Sequence, residues 1–183
     1  MFKNLIPDVT LHMRQRDDTI QAPNPYKWVI NKTSDLFAGK RIALFGLPGA
    51  FTPTCSTQQL PKYEELYYQL IDAGIDEVYC TSVNDAFVMH KWAQDLGIKN
   101  VKMLPDGNGD LAKALGMLVD KSNLGFGKRS WRYSMIIDDL EIIDTFSEDQ
   151  FPGDLYPIDP FEVSDAQSML DYILYDKFPG ITE

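Results

Sequence analysis

The chain has 183 residues, 44% of them apolar and 12% aromatic, and a formal net charge of −10. The length fits one domain over residues 1–183, and a chain of about this size buries roughly 70% of its unfolded surface, so it needs neither disulfide nor metal to fold. The acidity disfavours nucleic-acid phosphates and anionic membrane surfaces as partners. No apolar run approaches the roughly 20 residues of a bilayer span, and the first eight residues show no signal-peptide stretch, so a soluble cytoplasmic protein is expected.

Val9, Leu11 and Met13 alternate with polar residues, as in a half-buried strand, and residues 27–30, beyond the turn-rich 21–25, read as its partner. Residues 41–46 form the apolar run of a buried strand. After a loop, Leu60, Tyr63, Leu66, Tyr67, Leu70 and Ile71 recur at helical spacing with one apolar face. Pro61 within that pattern predicts a kink near the first turns. A strand over 77–83 follows, then a helix over 84–96 closed by Gly97, a strand over 101–104 and a short helix over 110–118. Residues 133–137 and 141–146 form a hairpin around Asp138-Asp139. Ser164-Asp165-Ala166-Gln167 is a capping box that opens a last helix running to about Tyr175. Strands alternating with helices, then a hairpin and a helix, give an α/β fold whose mixed central sheet carries helices on both faces. Sites in such sheets form at the carboxyl ends of strands, where the loop after Gly46 lies.

There are two cysteines, Cys55 and Cys80. A reducing compartment does not favour structural disulfides, so each is either packing or chemistry. Cys80 sits mid-strand among β-formers and reads as a buried core thiol. Cys55 ends the segment Pro48-Gly49-Ala50-Phe51-Thr52-Pro53-Thr54-Cys55, where the next helix begins. A helix N-terminus offers unpaired N–H groups and partial positive charge, which favour the nucleophilic thiolate. Two prolines stiffen the loop. Thr52, three residues earlier, can bring beside the sulfur a hydroxyl that both donates and accepts. A plain core cysteine is the alternative, but a core position would not need this crowding of Pro, Gly and Thr.

Pro48, Thr52 and Cys55 match the Pro-x-x-x-Thr-x-x-Cys signature of peroxiredoxins, and the string from Leu47 to Ser56 resembles the type II, or type-five, subfamily. The resemblance continues through Ser82-Val83-Asn84-Asp85-Ala86-Phe87-Val88-Met89, Pro105-Asp106-Gly107-Asn108-Gly109, Gly125 to Met135, and Phe161-Glu162-Val163-Ser164-Asp165-Ala166, in order and over nearly the whole chain. It implies a thioredoxin-like fold with N-terminal strand additions, and reduction of hydrogen peroxide and alkyl hydroperoxides without metal or organic cofactor. It implies that Cys55 attacks the peroxide and becomes a sulfenic acid, that Thr52 positions the substrate, that Pro48 shields the sulfur, and that Arg132 is the active-site arginine. A guanidinium there favours thiolate and offers planar donors to the peroxide oxygens. Arg129 is the other candidate by position, but Arg132 directly precedes a strand that would hold it. Glutathione with glutaredoxin is the reductant the subfamily commonly uses. Some bacterial members carry a fused glutaredoxin domain, which here is expected to be a separate protein. A homodimer is also implied, with Phe51, Phe87, Phe126 and Trp131 as candidate apolar contributors.

No cysteine follows Cys80, so a single-cysteine cycle is expected. Thioredoxin-type thiol–disulfide exchange would need a second cysteine where Thr52 stands. The remaining rival is a redox sensor or oxidation-triggered chaperone that uses the same sulfenic acid. His12 and His90 are isolated, and no cluster has metal-ligand spacing. Residues 106–110 look faintly like a calcium loop, but Leu111 and Met117 occupy its glycine and closing glutamate positions. From Tyr133 to Asp176 there is no Lys or Arg, which suggests a solvated acidic face, or a docking face for a basic reductase.

Overall fold

The structure is a computed structural model that describes residues 4–23, 25–148 and 159–177, the side chains of 176 and 177 excepted. Residues 149–158 of the acidic stretch, residues 1–3 of the N-terminus and Asn24 of the first turn lie outside the described residues. In chain order the elements are β1 (Thr10–Arg16), β2 (Tyr26–Lys32), α1 (Thr33–Phe37), β3 (Arg41–Gly46), a π turn (Cys55–Gln59) running into α2 (Leu60–Glu65), α3 (Tyr67–Asp72), β4 (Glu77–Ser82), α4 (Ala86–Asp95), β5 (Lys102–Pro105), α5 (Asp110–Ala114), β6 (Leu118–Asp120), β7 (Lys128–Ser130), β8 (Tyr133–Asp138), β9 (Glu141–Ser147) and α6 (Ala166–Lys177).

Five strands make one mixed sheet in the order β5-β4-β3-β8-β9. β3, β4 and β5 run parallel, and β8 and β9 pair antiparallel to their neighbours. This is the expected α/β, thioredoxin-like arrangement, and the β1–β2 hairpin is its N-terminal addition. β3 is buried on both faces, which is why it reads as a continuous apolar run rather than an alternation. Ala43 and Phe45 face one core with Leu60, Tyr63, Trp92 and Ile173; Ile42 and Leu44 face the other with Phe37, Leu111 and Met135.

Gly46 closes β3 opposite Tyr133. A Cβ at Gly46 would stand 2.2 Å from Tyr133 Cε1, so only glycine admits the ring. The pairing also sets the start of β8 against the carboxyl end of β3, which is where Cys55 and Arg132 converge.

Several expectations shift. The long helix after the loop is broken twice: a π turn widens it just ahead of Pro61, whose missing N–H cannot serve an α-type bond, and Leu66 interrupts it at φ −89°, ψ 4°. α4 starts at Ala86, capped by Asp85, whose carboxylate accepts from Phe87 N and Val88 N. Gly97 closes it as expected: Gly97 N donates to Gln94 O and Ile98 N to Ala93 O, a Schellman pattern. The helix expected over 110–118 stops at Ala114, because residues 118–120 leave it to pair with β7. The hairpin turns on Asp139 and Leu140, both at positive φ. At the last helix Asp165 is the cap, accepting from Gln167 N and Ser168 N. Ser164 is occupied elsewhere, bonded to Glu148. Among the described residues no helix is long and apolar enough to cross a membrane, and no group of His, Cys, Asp and Glu could hold a metal ion.

Candidate active site

The chain leaves β3 at Gly46 and turns through buried Pro48 and Gly49. Asn84 holds this loop from the end of β4: its Oδ1 accepts from Ala50 N at 3.0 Å and from Ser82 Oγ at 2.8 Å. Phe51 then takes φ +63°, a left-handed conformation that costs a non-glycine residue roughly 1–3 kcal/mol. Pro53 and Thr54 start the helical run, and Ser56 N closes its first turn on Thr52 O at 3.0 Å.

Cys55 follows in the π turn and is 0% exposed. Arg132 enters from the amino end of β8 and is 1% exposed. Its Nη1 donates to Cys55 Sγ at 3.5 Å, across 77 residues of sequence. The same nitrogen donates to Gln59 Oε1. Nη2 is ion-paired with Asp159 Oδ1 at 2.5 Å, and the guanidinium lies over the Phe161 ring. A cation that bridges the sulfur, a neutral amide and a carboxylate in a water-poor site can hold a thiolate and polarise an oxygen beside it.

Thr52 and Arg129, the alternative arginine, both make bonds that the sequence did not reveal. Thr52 Oγ1 donates to Gly49 O at 2.7 Å, so its proton is committed to the loop and its lone pairs remain as acceptors. Arg129 serves structure: Nε donates to Phe126 O at 2.9 Å and Nη1 to Val83 O at 3.4 Å. Arg132 is thus the arginine at the sulfur.

A sequence model of the Redoxin family matches residues 4–170. The peroxiredoxin sll1621 of Synechocystis sp. is 51% identical over 178 residues, which is 97% of this chain and 94% of that protein. The chain belongs to the peroxiredoxin family. Among solved structures, the 1-Cys peroxiredoxin of Plasmodium falciparum superposes with a TM-score of 0.87 at 33% identity, over 94% of this chain and 99% of that one. Reduced Prx3 of Vibrio vulnificus in complex with hydrogen peroxide gives 0.78 at 36% identity, over 94% and 99%. Membership makes the chain an antioxidant oxidoreductase, a thiol-dependent peroxidase.

This peroxiredoxin holds site residues that the sequence reading missed. Gln59, 0% exposed, lies one turn beyond Cys55 and one before Tyr63. A polar residue on an otherwise apolar stripe was the available signal. Since arginine only donates, Gln59 must turn its oxygen to Arg132, which leaves Nε2 buried and without a hydrogen-bond partner among the described residues. Glu148, at the end of β9, accepts from Glu162 N, Val163 N, Ser164 N and Ser164 Oγ. It anchors the segment that brings Asp159 and Phe161 to Arg132. So Glu148, Asp159 and Asp165, three carboxylates of the presumed solvated face, are engaged in structure.

Cys80 is buried in β4, its thiol pushed up by burial and by the nearby Cys55. The buried Asp106 carboxylate accepts from Leu111 N and Ala112 N at the start of α5. Of the four aromatics offered for a dimer contact, Phe51, Phe87 and Phe126 are exposed, but Trp131 is buried, its Nε1 bonded to Glu148 O at 3.2 Å.

Proposed function

We propose that this peroxiredoxin is a single-domain, cytoplasmic enzyme that reduces hydrogen peroxide and alkyl hydroperoxides with Cys55 as its one redox cysteine. The Cys55 thiolate attacks the terminal peroxide oxygen. The S–O bond forms as the O–O bond breaks, sulfur loses two electrons, and the departing alkoxide or hydroxide takes a proton to leave as alcohol or water. Cys55 becomes a sulfenic acid, the first and reversible rung of the oxidation ladder. Arg132 stabilises the thiolate and then the charge moving onto the leaving oxygen. Thr52 Oγ1, already committed as a donor to Gly49 O, accepts the hydroperoxide O–H. Pro48 keeps bulk water from the sulfur. The unpaired Gln59 Nε2 and Arg132 Nε are further donors available to the oxygens.

The observation that carries this reading is the contact of Arg132 Nη1 with the Cys55 sulfur in a buried site. An external thiol completes the cycle: glutathione condenses with the sulfenic acid, releasing water, and a low-pKa thiol of glutaredoxin type attacks the mixed disulfide. The burial of Cys80, the absence of any later cysteine and the likeness to a protein described as a 1-Cys peroxiredoxin support the single-cysteine cycle. A homodimer through the exposed Phe51, Phe87 and Phe126 is part of the proposal.

Intact mass spectrometry after one equivalent of hydrogen peroxide, with and without a sulfenic-acid trap and then glutathione, tests the reading. One trapped adduct and one glutathione per chain are expected, both lost in Cys55→Ser. A Cys55→Ser variant that still consumed peroxide at the parental rate would overturn it.

A further inference from the structure

Lys121 lies outside the motif residues and is nevertheless 3% exposed. A lysine this buried needs a compensating reason, because the charged head otherwise stays in water. No carboxylate makes a direct ion pair with it among the described residues. Its ammonium lies over the Trp131 ring, 5.3 Å from the centroid. Its backbone is fixed where β6 ends: Lys121 N donates to Gly127 O at 2.8 Å, and its carbonyl accepts from Leu124 N and Phe126 N. The antiparallel β6–β7 ribbon holds the two backbones at its opposite ends, Lys121 beside Gly127 and Trp131 beside Met117, and it is the side chains, ammonium over indole, that meet.

The charges there explain its presence. Arg132 is paired at 2.5 Å with Asp159, and a guanidinium neutralised by a carboxylate attracts a thiolate weakly. A second cation restores a net positive site. Burial holds the Lys121 ammonium below its ordinary range; Asp159 pulls it back up, Arg132 pushes it down, and the Cys55 sulfur pulls it up. Among the described residues, the charged or titratable groups it feels are thus Asp159, Arg132 and Cys55. Around Cys55 itself, Gln59 is neutral and the buried Cys80 stays a thiol.

We propose that Lys121 is a positioning residue of the peroxidase site: its ammonium, stacked on Trp131 next to Arg132, adds a second positive charge that offsets the Asp159 carboxylate paired with Arg132 and so keeps the guanidinium charge available to the Cys55 sulfur. The inference rests on the proposed role of Cys55, but its readout, the pH profile of Cys55 alkylation, does not depend on turnover.

The test uses the full chain with Cys80→Ser, so that only Cys55 reports. Iodoacetamide alkylation is followed across pH in Lys121→Met, Lys121→Arg, Asp159→Asn and the Lys121→Met/Asp159→Asn pair, with circular dichroism as the check of folding. Lys121→Met should move the alkylation midpoint up, with about a tenfold loss of thiolate at neutral pH, the order expected for one unit charge in a partly screened site. Lys121→Arg should restore most of it. Asp159→Asn, at a side chain 39% exposed and so tolerant of change, should move the midpoint down. The pair should return near the parent, because one charge of each sign is removed. A purely structural lysine cannot give opposite signs that cancel. If Lys121→Met fails to fold, Asp159→Asn decides alone: a midpoint that stays put or rises overturns the proposal. So does a folded Lys121→Met with the parental profile. Peroxide consumption surviving Cys55→Ser would instead sink the functional reading.

Discussion

Replacing Arg132 tests the chemistry most directly, because its guanidinium meets three groups at once. Arg132→Ala removes the donor 3.5 Å from Cys55 Sγ, the partner of Gln59 Oε1 and the counter-ion of Asp159. Losing one preorganised charge-stabilising donor costs about 2.7–4 kcal/mol in the transition state, which is roughly 100- to 1000-fold in rate. The fold also weakens, since a buried amide oxygen left unpaired costs about 1–3 kcal/mol. Arg132→Lys separates charge from geometry. It restores one positive charge, but a single ammonium cannot reproduce a fork that divides its contacts between two nitrogens, Nη1 for Cys55 and Gln59 and Nη2 for Asp159, so rescue should be poor. Stopped-flow peroxide reduction at neutral pH and the alkylation rate of Cys55 across pH measure the two effects. The expected outcome is a slow Arg132→Ala enzyme whose alkylation midpoint lies higher. A folded Arg132→Ala protein with an unmoved alkylation profile and a peroxide rate within about threefold of the parent, under 1 kcal/mol, would refute the role.

Gly46→Ala should cost at least the roughly 1–3 kcal/mol of an overpacked core, because the new methyl meets the buried Tyr133 ring at 2.2 Å; a urea midpoint equal to the parent would count against the packing described. Burial raises the folded Cys80 thiol above its ordinary 9.0, so the benefit of the neutral form is fully present below pH 9 and is lost as pH rises toward the folded value, the unfolded chain giving up its proton first. Cys80→Ala should therefore flatten the loss of stability above pH 9 in alkaline denaturation, and Cys80→Ser should keep most peroxidase activity; a Cys55–Cys80 disulfide found by non-reducing peptide mapping, with turnover stopped in Cys80→Ser, would reverse the single-cysteine proposal. Light scattering at micromolar concentration should show a dimer, and a mass of 20.8 kDa alone would remove it.

The elements that were legible in the sequence are those whose burial writes a long pattern. β3 and β4 lie inside the sheet and leave apolar runs. α4 has one buried face through Ala86, Met89 and Trp92 and a glycine at its end. α1, β6 and β7 were missed because elements of three to five residues are shorter than one reliable period of either pattern. The capping box at Ser164 failed for a tertiary reason. Its local spacing was correct, but the Glu148 carboxylate, from just past β9, claims both the N–H and the hydroxyl of Ser164, and Asp165 takes over the cap. Propensity sets a default that a buried carboxylate with several donors in reach overrides.

The site divides along the same line. Cys55, Thr52 and Pro48 sit on one continuous loop, so their spacing carries their relation. Arg132 was reached through the family resemblance, and the strand that follows it favoured it over Arg129. The groups that set its charge come from separate places: Gln59 from the helix, Asp159 from the segment held by Glu148, and Lys121 from the ribbon that the sequence did not reveal. None is near Arg132 in sequence, and an ion pair between distant residues leaves no periodic trace. Composition does not show which of the acidic residues take structural partners. The stretch from Tyr133 to Asp176 is acidic without a single Lys or Arg, which suggests carboxylates facing water. Yet Asp159, though partly exposed, pairs with a cation at the stretch's own edge, and Glu148 is buried against the backbone. The consequence is specific. With Asp159 against Arg132, the sulfur faces a neutralised pair unless another cation is close, and the buried ammonium on Trp131 is the cation the fold supplies.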